Sequence, residues 1–249
     1  SGVDADTGAA DVAAVRADVT VTFTALKRGL LLYPGAGCAG EIVVADIGLP
    51  VADAHPGALE VPGLDEFRRI LPWPQPADHK GARGRVAIVA GSGMYSGAAV
   101  LAVSGALRMG AGYVFAVVPE PVAAVIRATL PGAIVRAVPA THDGSMARVD
   151  AVLTAIADAD ALVVGPGLTV APSVGEIVHA LIRDSTVPIV FDADALNLLG
   201  GDPFALDTAG APVVITPHPG EAARLLGCDI AAVLANRPSA AQKLSAEGR

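Results

Sequence analysis

Short apolar runs rich in Val, Ile and Ala alternate with helical segments from Arg85 onward. The runs predict strands at 86–90, 113–118, 133–138, 161–165, 187–191 and 212–215. The segments after them predict helices at 97–109, 121–129, 145–158, 173–183, 194–200 and 218–227. Strands and helices that alternate with short connections form right-handed βαβ units, and hence an open parallel sheet with helices on both faces. We therefore predict an α/β fold in which ligands bind at the carboxyl ends of the strands.

The part of the chain before Arg85 has a different composition. A strand is predicted at 42–47, and the stretch from Pro50 to Gly84 is rich in proline and glycine. This stretch contains a short helical segment near 64–71 and the sequence PWPQP, whose prolines are incompatible with a regular element. We predict a domain remnant at 1–52, a linker and arm at 53–84, and a second domain at 85–249.

Composition and charge argue against several classes of protein. Hydrophobic residues make up 53% of the chain and charged residues 17%, so a sizeable core can form. The net charge is −8 and Lys and Arg form no cluster, which makes nucleic acid a poor candidate partner. Charges, glycines and prolines interrupt every long apolar run, so we expect no membrane span. Cys38 and Cys228 lie far apart and form neither a disulfide framework nor a metal motif, so we expect a cytoplasmic protein.

The first strand of the alternating part ends in the glycine-rich sequence GSGMYSGAA. Gly91, Gly93 and Gly97 leave room for a close approach of the backbone to a ligand, and a helix N-terminus there favours an anion. The fingerprint of NAD-dependent oxidoreductases places its third glycine one residue earlier, where this chain has Ser96. Glu120 stands where that fingerprint expects an acid, so a dinucleotide site, another phosphate site and a plain tight turn all remain open.

Polar residues follow two later strands. The segment PIVFDADALNLL places Asp192 and Asp194 at a strand end, with Asn197 one helical turn further on. Asp194 could simply cap the next helix, but two carboxylates and an amide also suit a hydroxyl-rich or metal-bound phosphate ligand. In TPHPGE, two prolines hold His218 in a stiff loop at the same edge, which favours a binding role over an ordinary surface histidine. The earlier sequence GPG, at 165–167, is by itself typical of a plain turn.

Together, five segments resemble the NAD(P)H-hydrate dehydratase family over about residues 78–249. In order they read HKGARGRVAIVAGSGMYSGAAVLA, ALRMGAGYV, ALVVGPGL, PIVFDADALNLL and TPHPGEAARLLG. The resemblance implies a ribokinase-like fold with three layers, α/β/α, around a mostly parallel sheet. It also implies repair of hydrated NADH and NADPH (NADHX and NADPHX) with ADP or ATP as co-substrate, magnesium, and a homo-oligomer.

The resemblance carries site roles onto matching positions of this sequence. Ala98, Gly167 and His218 would contact the hydrate, and Asp192 and Asn197 would line the same cleft. The loop of the first strand would bind the phosphates of the damaged dinucleotide rather than support hydride transfer. The loop residues with this weaker assignment are Gly91, Ser92 and Gly93.

The front of the chain resembles the tail of the NAD(P)H-hydrate epimerase domain that bifunctional proteins carry upstream of the dehydratase. The similar segments are SGVDADTGAA and ADVTVTFTALKRGLLLYPGAGCAGEIVVADIGLP. This resemblance implies a Rossmann-like epimerase remnant at 1–52, for which Ser1 would be a ligand of K⁺.

The chain departs from the dehydratase pattern in two places. The family usually reads G-P-G-L-G, whereas this chain has Thr169 at the last position, and a β-branched residue disfavours positive φ. The family's nucleotide loop and catalytic aspartate are expected after Arg249, so no catalytic residue is assigned within the sequence and the chain alone is expected to be inactive.

Other functions are weighed against this one. A small-alcohol or vitamin-precursor kinase of the ribokinase superfamily shares the predicted sheet, but the HKG and TPHPGE motifs argue against it. Thr169 keeps open a non-catalytic nucleotide-binding module. An NAD-dependent oxidoreductase is disfavoured by the displaced glycine.

Overall fold

The computed structural model describes residues 2–49, 59–71, 73, 75–200 and 203–247. The chain forms two compact units, Ser1–Pro74 and Gln75–Arg249. The functional assignment of 1–52, 53–84 and 85–249 stays a prediction. Ser1, the predicted potassium ligand, lies outside the described residues.

The first unit contains a small parallel sheet. Strands β1 (Val19–Phe23) and β2 (Glu41–Ala45) pair in the register Val19 with Glu41 through Phe23 with Ala45. Among its described residues this unit contains two short α-helices, α1 (Ala36–Ala39) and α2 (Leu64–Ile70), and a 3-10 turn at Arg28–Leu30. Strand β2 matches the strand predicted at 42–47 except at its ends, whereas β1 was not predicted.

The second unit is built on a sheet of six strands, paired in parallel throughout in the order β5-β4-β3-β6-β7-β8. This arrangement confirms the predicted α/β fold with a parallel central sheet. The strands are β3 (Arg85–Val89), β4 (Tyr113–Pro119), β5 (Ile134–Val138), β6 (Ala161–Val164), β7 (Ile189–Phe191) and β8 (Val213–Ile215).

The six predicted helices all form, with changed ends. Helix α5 begins at Val149 rather than at 145, because Met146 makes an antiparallel bridge with Ala140. Helix α7 ends at Asn197, and α9 was not predicted. The helices are α3 (Ser96–Arg108), α4 (Glu120–Thr129), α5 (Val149–Ile156), α6 (Pro172–Asp184), α7 (Asp194–Asn197), α8 (Pro219–Leu225), α9 (Ile230–Ala235) and α10 (Arg237–Glu247).

Both faces of this sheet are buried at its central strands. Ala87 and Val89 of β3 belong to a core that includes residues of α5, α6 and α8, whereas Ile88 packs with α3 and α4. Because successive side chains of a strand point to opposite faces, helices on both sides bury the whole strand and produce the continuous apolar runs of the sequence. Within the described part of the chain, no helix is long and apolar enough to cross a membrane.

The strand order contains one switch of direction. The chain runs outward from β3 through β4 to β5 and then returns to the other side of β3 with β6. Loops that leave the carboxyl ends of two such neighbours diverge to opposite faces, and the crevice between them is where ligands of open α/β sheets bind. The loops after β3 and β6 are therefore the first place to look for a site.

Candidate active site

The two glycine loops predicted from the sequence meet at this switch of direction. The backbone N–H of Gly91 donates to the carbonyl of Pro166 at 2.8 Å, and the N–H of Gly165 donates to the carbonyl of Val89 at 3.1 Å. The backbones of the loops 91–93 and 165–167 are thus joined directly, as an extension of the β3–β6 pairing.

Ala98 and Gly167 lie against each other. Gly167 has a φ of 68°, and a Cβ atom there would lie 2.8 Å from the Cβ of Ala98 and 2.8 Å from the carbonyl oxygen of Tyr95. Only glycine adopts this conformation without strain and also fits the space. The fold therefore brings together two residues that the sequence assigned to one ligand.

The loop before α3 is shaped by close backbone approach. Gly91 has a φ of 82°, and Gly93 donates its N–H to the carbonyl of Gly144 at 2.9 Å. Ser92 is buried, and its hydroxyl accepts a hydrogen bond from the N–H of Tyr95 at 3.2 Å. No side chain caps the first turn of α3, so amides at this N-terminus remain suited to an anion.

Gly97, the third glycine of the loop motif, has no such constraint. A Cβ atom added there would meet nothing within 4 Å. Close helix–strand packing is the reason for the third glycine of the dinucleotide fingerprint. Gly97 therefore does not have the packing role that the third glycine of the dinucleotide fingerprint has.

Asp194 joins two loops instead of capping α7. Its Oδ2 accepts the N–H of Thr169 at 2.9 Å, and its Oδ1 accepts from the amide of Asn197 at 3.3 Å. The N-cap position is held by Ala193, whose φ is 50°. Asp192 accepts a hydrogen bond at Oδ1 from the hydroxyl of Thr216 at 2.8 Å. Asp192 thus lies on the loop before Asp194, and Asn197 lies one helical turn after it, at the end of α7.

His218 is the N-cap of α8. Its Nδ1 accepts the backbone N–H groups of Gly220 at 2.9 Å and of Glu221 at 3.2 Å, so this nitrogen carries no proton. Glu221 returns the contact by accepting the N–H of His218 at 2.8 Å, and its Oε1 lies 3.2 Å from Nε2. The side chain of His218 is 65% exposed whereas that of Glu221 is 5% exposed. The imidazole is therefore both fixed in orientation and open to a ligand.

Sequence reasoning missed Arg224, Asp143 and Ser145. Arg224, on α8, donates to the amide oxygen of Asn197. Ser145 is buried, and its hydroxyl lies 2.9 Å from that of Thr169 and 3.3 Å from Oδ2 of Asp143. A hydrogen bond from the Thr141 hydroxyl is the main cause of the lowered pKa of Asp143. Arg224 and Asn197, like Ser145 and Thr169, lie more than 20 residues apart in the chain, so no local motif marks these contacts.

The described residues contain no group of three or more His, Cys, Asp or Glu side chains that could hold a metal ion.

Two adjoining apolar grooves of about 420 and 330 Å³ lie beside β8, and both are lined by Ile215, Pro217 and Leu244. Because Pro217 precedes His218, the grooves begin next to this histidine rather than between the glycine loops.

The chain is similar over most of its length to proteins of one family. Residues 86–248 match the family model of NAD(P)H-hydrate dehydratase. The bifunctional NAD(P)H-hydrate repair enzyme Nnr of Moorella thermoacetica is 39% identical, over 99% of this chain and 47% of that protein. The enzyme of the same description from Escherichia coli K12 is 34% identical, over 98% of this chain and 45% of that protein. The chain spans about half the length of these curated relatives.

Solved structures agree in fold. The ADP/ATP-dependent NAD(P)H-hydrate dehydratase from Bacillus subtilis, co-crystallized with ATP/Mg²⁺, superposes with a TM-score of 0.58 at 29% identity. The superposition covers 74% of this chain and 61% of that protein. A ribokinase-like superfamily protein of Enterococcus faecalis gives a TM-score of 0.60 at 21% identity, over 74% of this chain and 61% of that one. The predicted ribokinase-like fold is thereby confirmed.

Proposed function

Since the chain belongs to the NAD(P)H-hydrate dehydratase family, we propose that its second unit forms the substrate edge of an enzyme that restores NADH and NADPH from their hydrates. The observation that carries this proposal is the contact between the two glycine loops at the switch of strand order, with Gly167 against Ala98. Glycine loops at the carboxyl ends of β3 and β6, next to the uncapped N-terminus of α3, suit the pyrophosphate of a dinucleotide.

The proposed reaction solves a leaving-group problem. The hydrate carries a hydroxyl group on its reduced ring, and hydroxide leaves poorly. Transfer of a phosphoryl group from ADP or ATP to this hydroxyl, which loses its proton, gives a phosphate ester and releases AMP or ADP. The lone pair of the ring nitrogen then expels phosphate, and loss of a proton from the neighbouring ring carbon restores the double bond of the dihydronicotinamide. Such a transfer needs positioned phosphates, neutralised charge and a base for the hydroxyl.

Each residue of the candidate site has a role in this proposal. The N–H groups at the start of α3 would bind the hydrate's phosphates, which an N-terminus attracts. The loop Gly91 to Gly93 would let these phosphates approach its backbone, although the N–H groups of Gly91 and Gly93 are themselves bonded to Pro166 and Gly144. His218 would donate its Nε2 proton to a hydroxyl of the hydrate, because Nδ1 is committed to α8. Asp192 and Asn197 would accept or donate hydrogen bonds along the same cleft.

Asp192 would help to hold the magnesium ion that accompanies the nucleotide. In sites that transfer phosphoryl groups, Mg²⁺ is held by one or two carboxylates and by the phosphates themselves. Asp192 offers a carboxylate that Thr216 already orients. Removal of Mg²⁺ by a chelator is therefore expected to stop phosphoryl transfer while leaving the hydrate bound.

The rest of the proposal concerns the whole protein. We assign the base to an aspartate outside residues 1–249 and expect the chain alone to bind the hydrate without converting it. Epimerisation of the R and S hydrates, with K⁺ at Ser1, is proposed for the part that residues 1–52 resemble. We also propose that the protein is a homo-oligomer of the cytoplasm.

The test follows the absorbance of the reduced nicotinamide in a mixture of NADPHX, ADP and Mg²⁺. It compares this chain with the complete reading frame that contains it, and repeats each assay with ATP. Recovery of absorbance by the longer protein alone is the expected result. Phosphorylated product without recovered absorbance would instead identify a kinase, and binding without any product would identify a non-catalytic nucleotide-binding module.

A further inference from the structure

Thr169 adopts a backbone conformation that normally belongs to glycine. Its φ is 72°. Among the described residues, Thr24 and Ala193 are the other residues besides glycine that have a positive φ. A β-branched side chain is disfavoured there because Cβ and its substituents crowd the neighbouring carbonyl group. Such strain persists only where surrounding contacts hold the residue in place.

Two hydrogen bonds hold Thr169. Its N–H donates to Oδ2 of Asp194 at 2.9 Å, and its hydroxyl oxygen lies 2.9 Å from that of Ser145. Ser145 is fully buried, in the loop between β5 and α5, where Asp143 lies within 3.3 Å of its hydroxyl. The side chain of Thr169 therefore connects the loop after β6 to the loop after β5.

This connection closes a ring of three loops at the carboxyl edge. The loops after β3 and β6 are joined through Gly91 and Pro166, and those after β3 and β5 through Gly93 and Gly144. The pair of Ser145 and Thr169 supplies the third side. Gly144 directly precedes Ser145, and Gly167 lies two residues before Thr169, so a shift of either hydroxyl reaches both glycine loops.

We propose that Thr169 is a positioning residue whose hydroxyl, through Ser145, closes the three-loop ring and fixes the two glycine loops against a bound dinucleotide hydrate. The ring itself is independent of the proposed function, whereas its effect on a ligand rests on that function. Thr169 does not itself touch the reacting atoms in this proposal.

The test separates the hydroxyl group from the shape of the side chain. Thr169→Val keeps the β-branch and removes the hydroxyl, Thr169→Ser keeps the hydroxyl, and Ser145→Ala removes its partner. Thr154→Val is the matched control, because the Thr154 hydroxyl bonds only locally to the carbonyl of Asp150 within α5. Amide hydrogen exchange is measured over 91–95, 141–146 and 165–170 in the 249-residue chain.

Opening of the ring should be visible without any ligand. We expect Thr169→Val and Ser145→Ala each to speed exchange in all three loops by about tenfold, with the double variant no faster than either alone. Thr169→Ser and Thr154→Val should match the unchanged chain. Unchanged exchange in Thr169→Val, or fully additive effects in the double variant, would overturn the proposal.

The ligand part uses calorimetric titration of the complete reading frame with NADPHX. We expect Thr169→Val to weaken binding by about tenfold and Thr169→Ser to restore it. If exchange responds but the unchanged protein binds no hydrate, the ring stands and the proposed function fails. If the unchanged protein binds hydrate and Thr169→Val binds it equally well, the positioning role is wrong and the proposed function survives.

Discussion

The two ends of the central sheet satisfy their charged groups in opposite ways. At the amino end, Arg85 and Asp160 pair with each other through two side-chain hydrogen bonds of 2.8 and 3.1 Å. At the carboxyl end, the carboxylates of Asp194 and Glu221 accept backbone N–H groups of Thr169 and His218. The Asp160 carboxylate at the amino end thus faces an arginine side chain, in addition to accepting the backbone N–H of Arg85 at 2.9 Å, whereas the two carboxylates at the carboxyl end hold loop backbones in place.

The same contrast divides the motifs that carry the family resemblance. The HKG motif packs at the amino end, where the ammonium group of Lys80 lies 4.6 Å from the centre of the Tyr113 ring. The carbonyl oxygen of Lys80 also leaves no room for a side chain at Gly112, in the motif MGAGYV. These two motifs therefore hold the sheet together, while the glycine loops and TPHPGE stand at the other end. A family motif does not by itself mark a site.

The largest expected loss of stability comes from adding a side chain at a tightly packed glycine of the carboxyl end. Gly165→Ala places a Cβ inside the contact distance of the Asp192 carbonyl at a φ of 132°, so we expect it to lower the free energy of unfolding by about 3 kcal/mol or more. The measurement is a urea titration. Gly105→Ala is the control, because its Cβ meets nothing within 4 Å in α3 and should stabilise by about 0.5–1 kcal/mol. Equal stability of the two variants would contradict the tight packing described for Gly165.

A smaller effect separates the two roles of His218. His218→Ala removes the N-cap of α8 and should cost about 1 kcal/mol, whereas His218→Asn supplies another good cap and should keep most of that stability. Both variants lose the Nε2 proton donor, so both should bind NADPHX more weakly. The readouts are urea unfolding and calorimetric titration. Normal hydrate affinity in His218→Asn would restrict this histidine to capping.

The smallest effect concerns the amino end and depends on pH. The hydrogen bond from the Arg85 side chain is the main cause of the lowered pKa of Asp160. A carboxyl with a lowered pKa in the folded state stabilises the protein above its unfolded pKa of about 3.9, and this contribution is lost as pH falls through the folded value. Thermal unfolding of Asp160→Asn should therefore show a lower midpoint than the unchanged chain at pH 7 and a shrinking difference below about pH 4.

Hydrate binding should not change in Asp160→Asn, because the substitution lies at the end of the sheet away from the glycine loops. A midpoint difference that stays constant down to pH 3 would contradict the ionic origin of the stabilisation by Asp160. A loss of hydrate affinity would show that the two ends of the sheet are not separate in the way described.

The sequence predicted the sheet because parallel strands buried on both faces produce unmistakable apolar runs. It did not predict β1, where VTVTF alternates and three of the five side chains are exposed, or α9, a short helix with little buried surface. At the site, glycine loops and polar strand ends were visible as local patterns. The contacts of Ser145 with Thr169 and of Arg224 with Asn197 were not, because each joins residues far apart in the chain. The β-branch at 169 argued against a positive φ, and contacts of this long-range kind hold Thr169 at 72°.

The strands become shorter across the sheet, from seven residues in β4 to three in β7 and in β8. Strand β8 lies at an edge of the sheet, with Val214 56% exposed. Local opening begins where the fewest contacts must break, so thermal fluctuations should release the β8 side, with His218, well before the glycine loops on β3 and β6. A ligand that contacts both the glycine loops and His218 would bind first to the rigid loops and then slow the local opening of the β8 side. Its residence time would therefore report on the motion of His218.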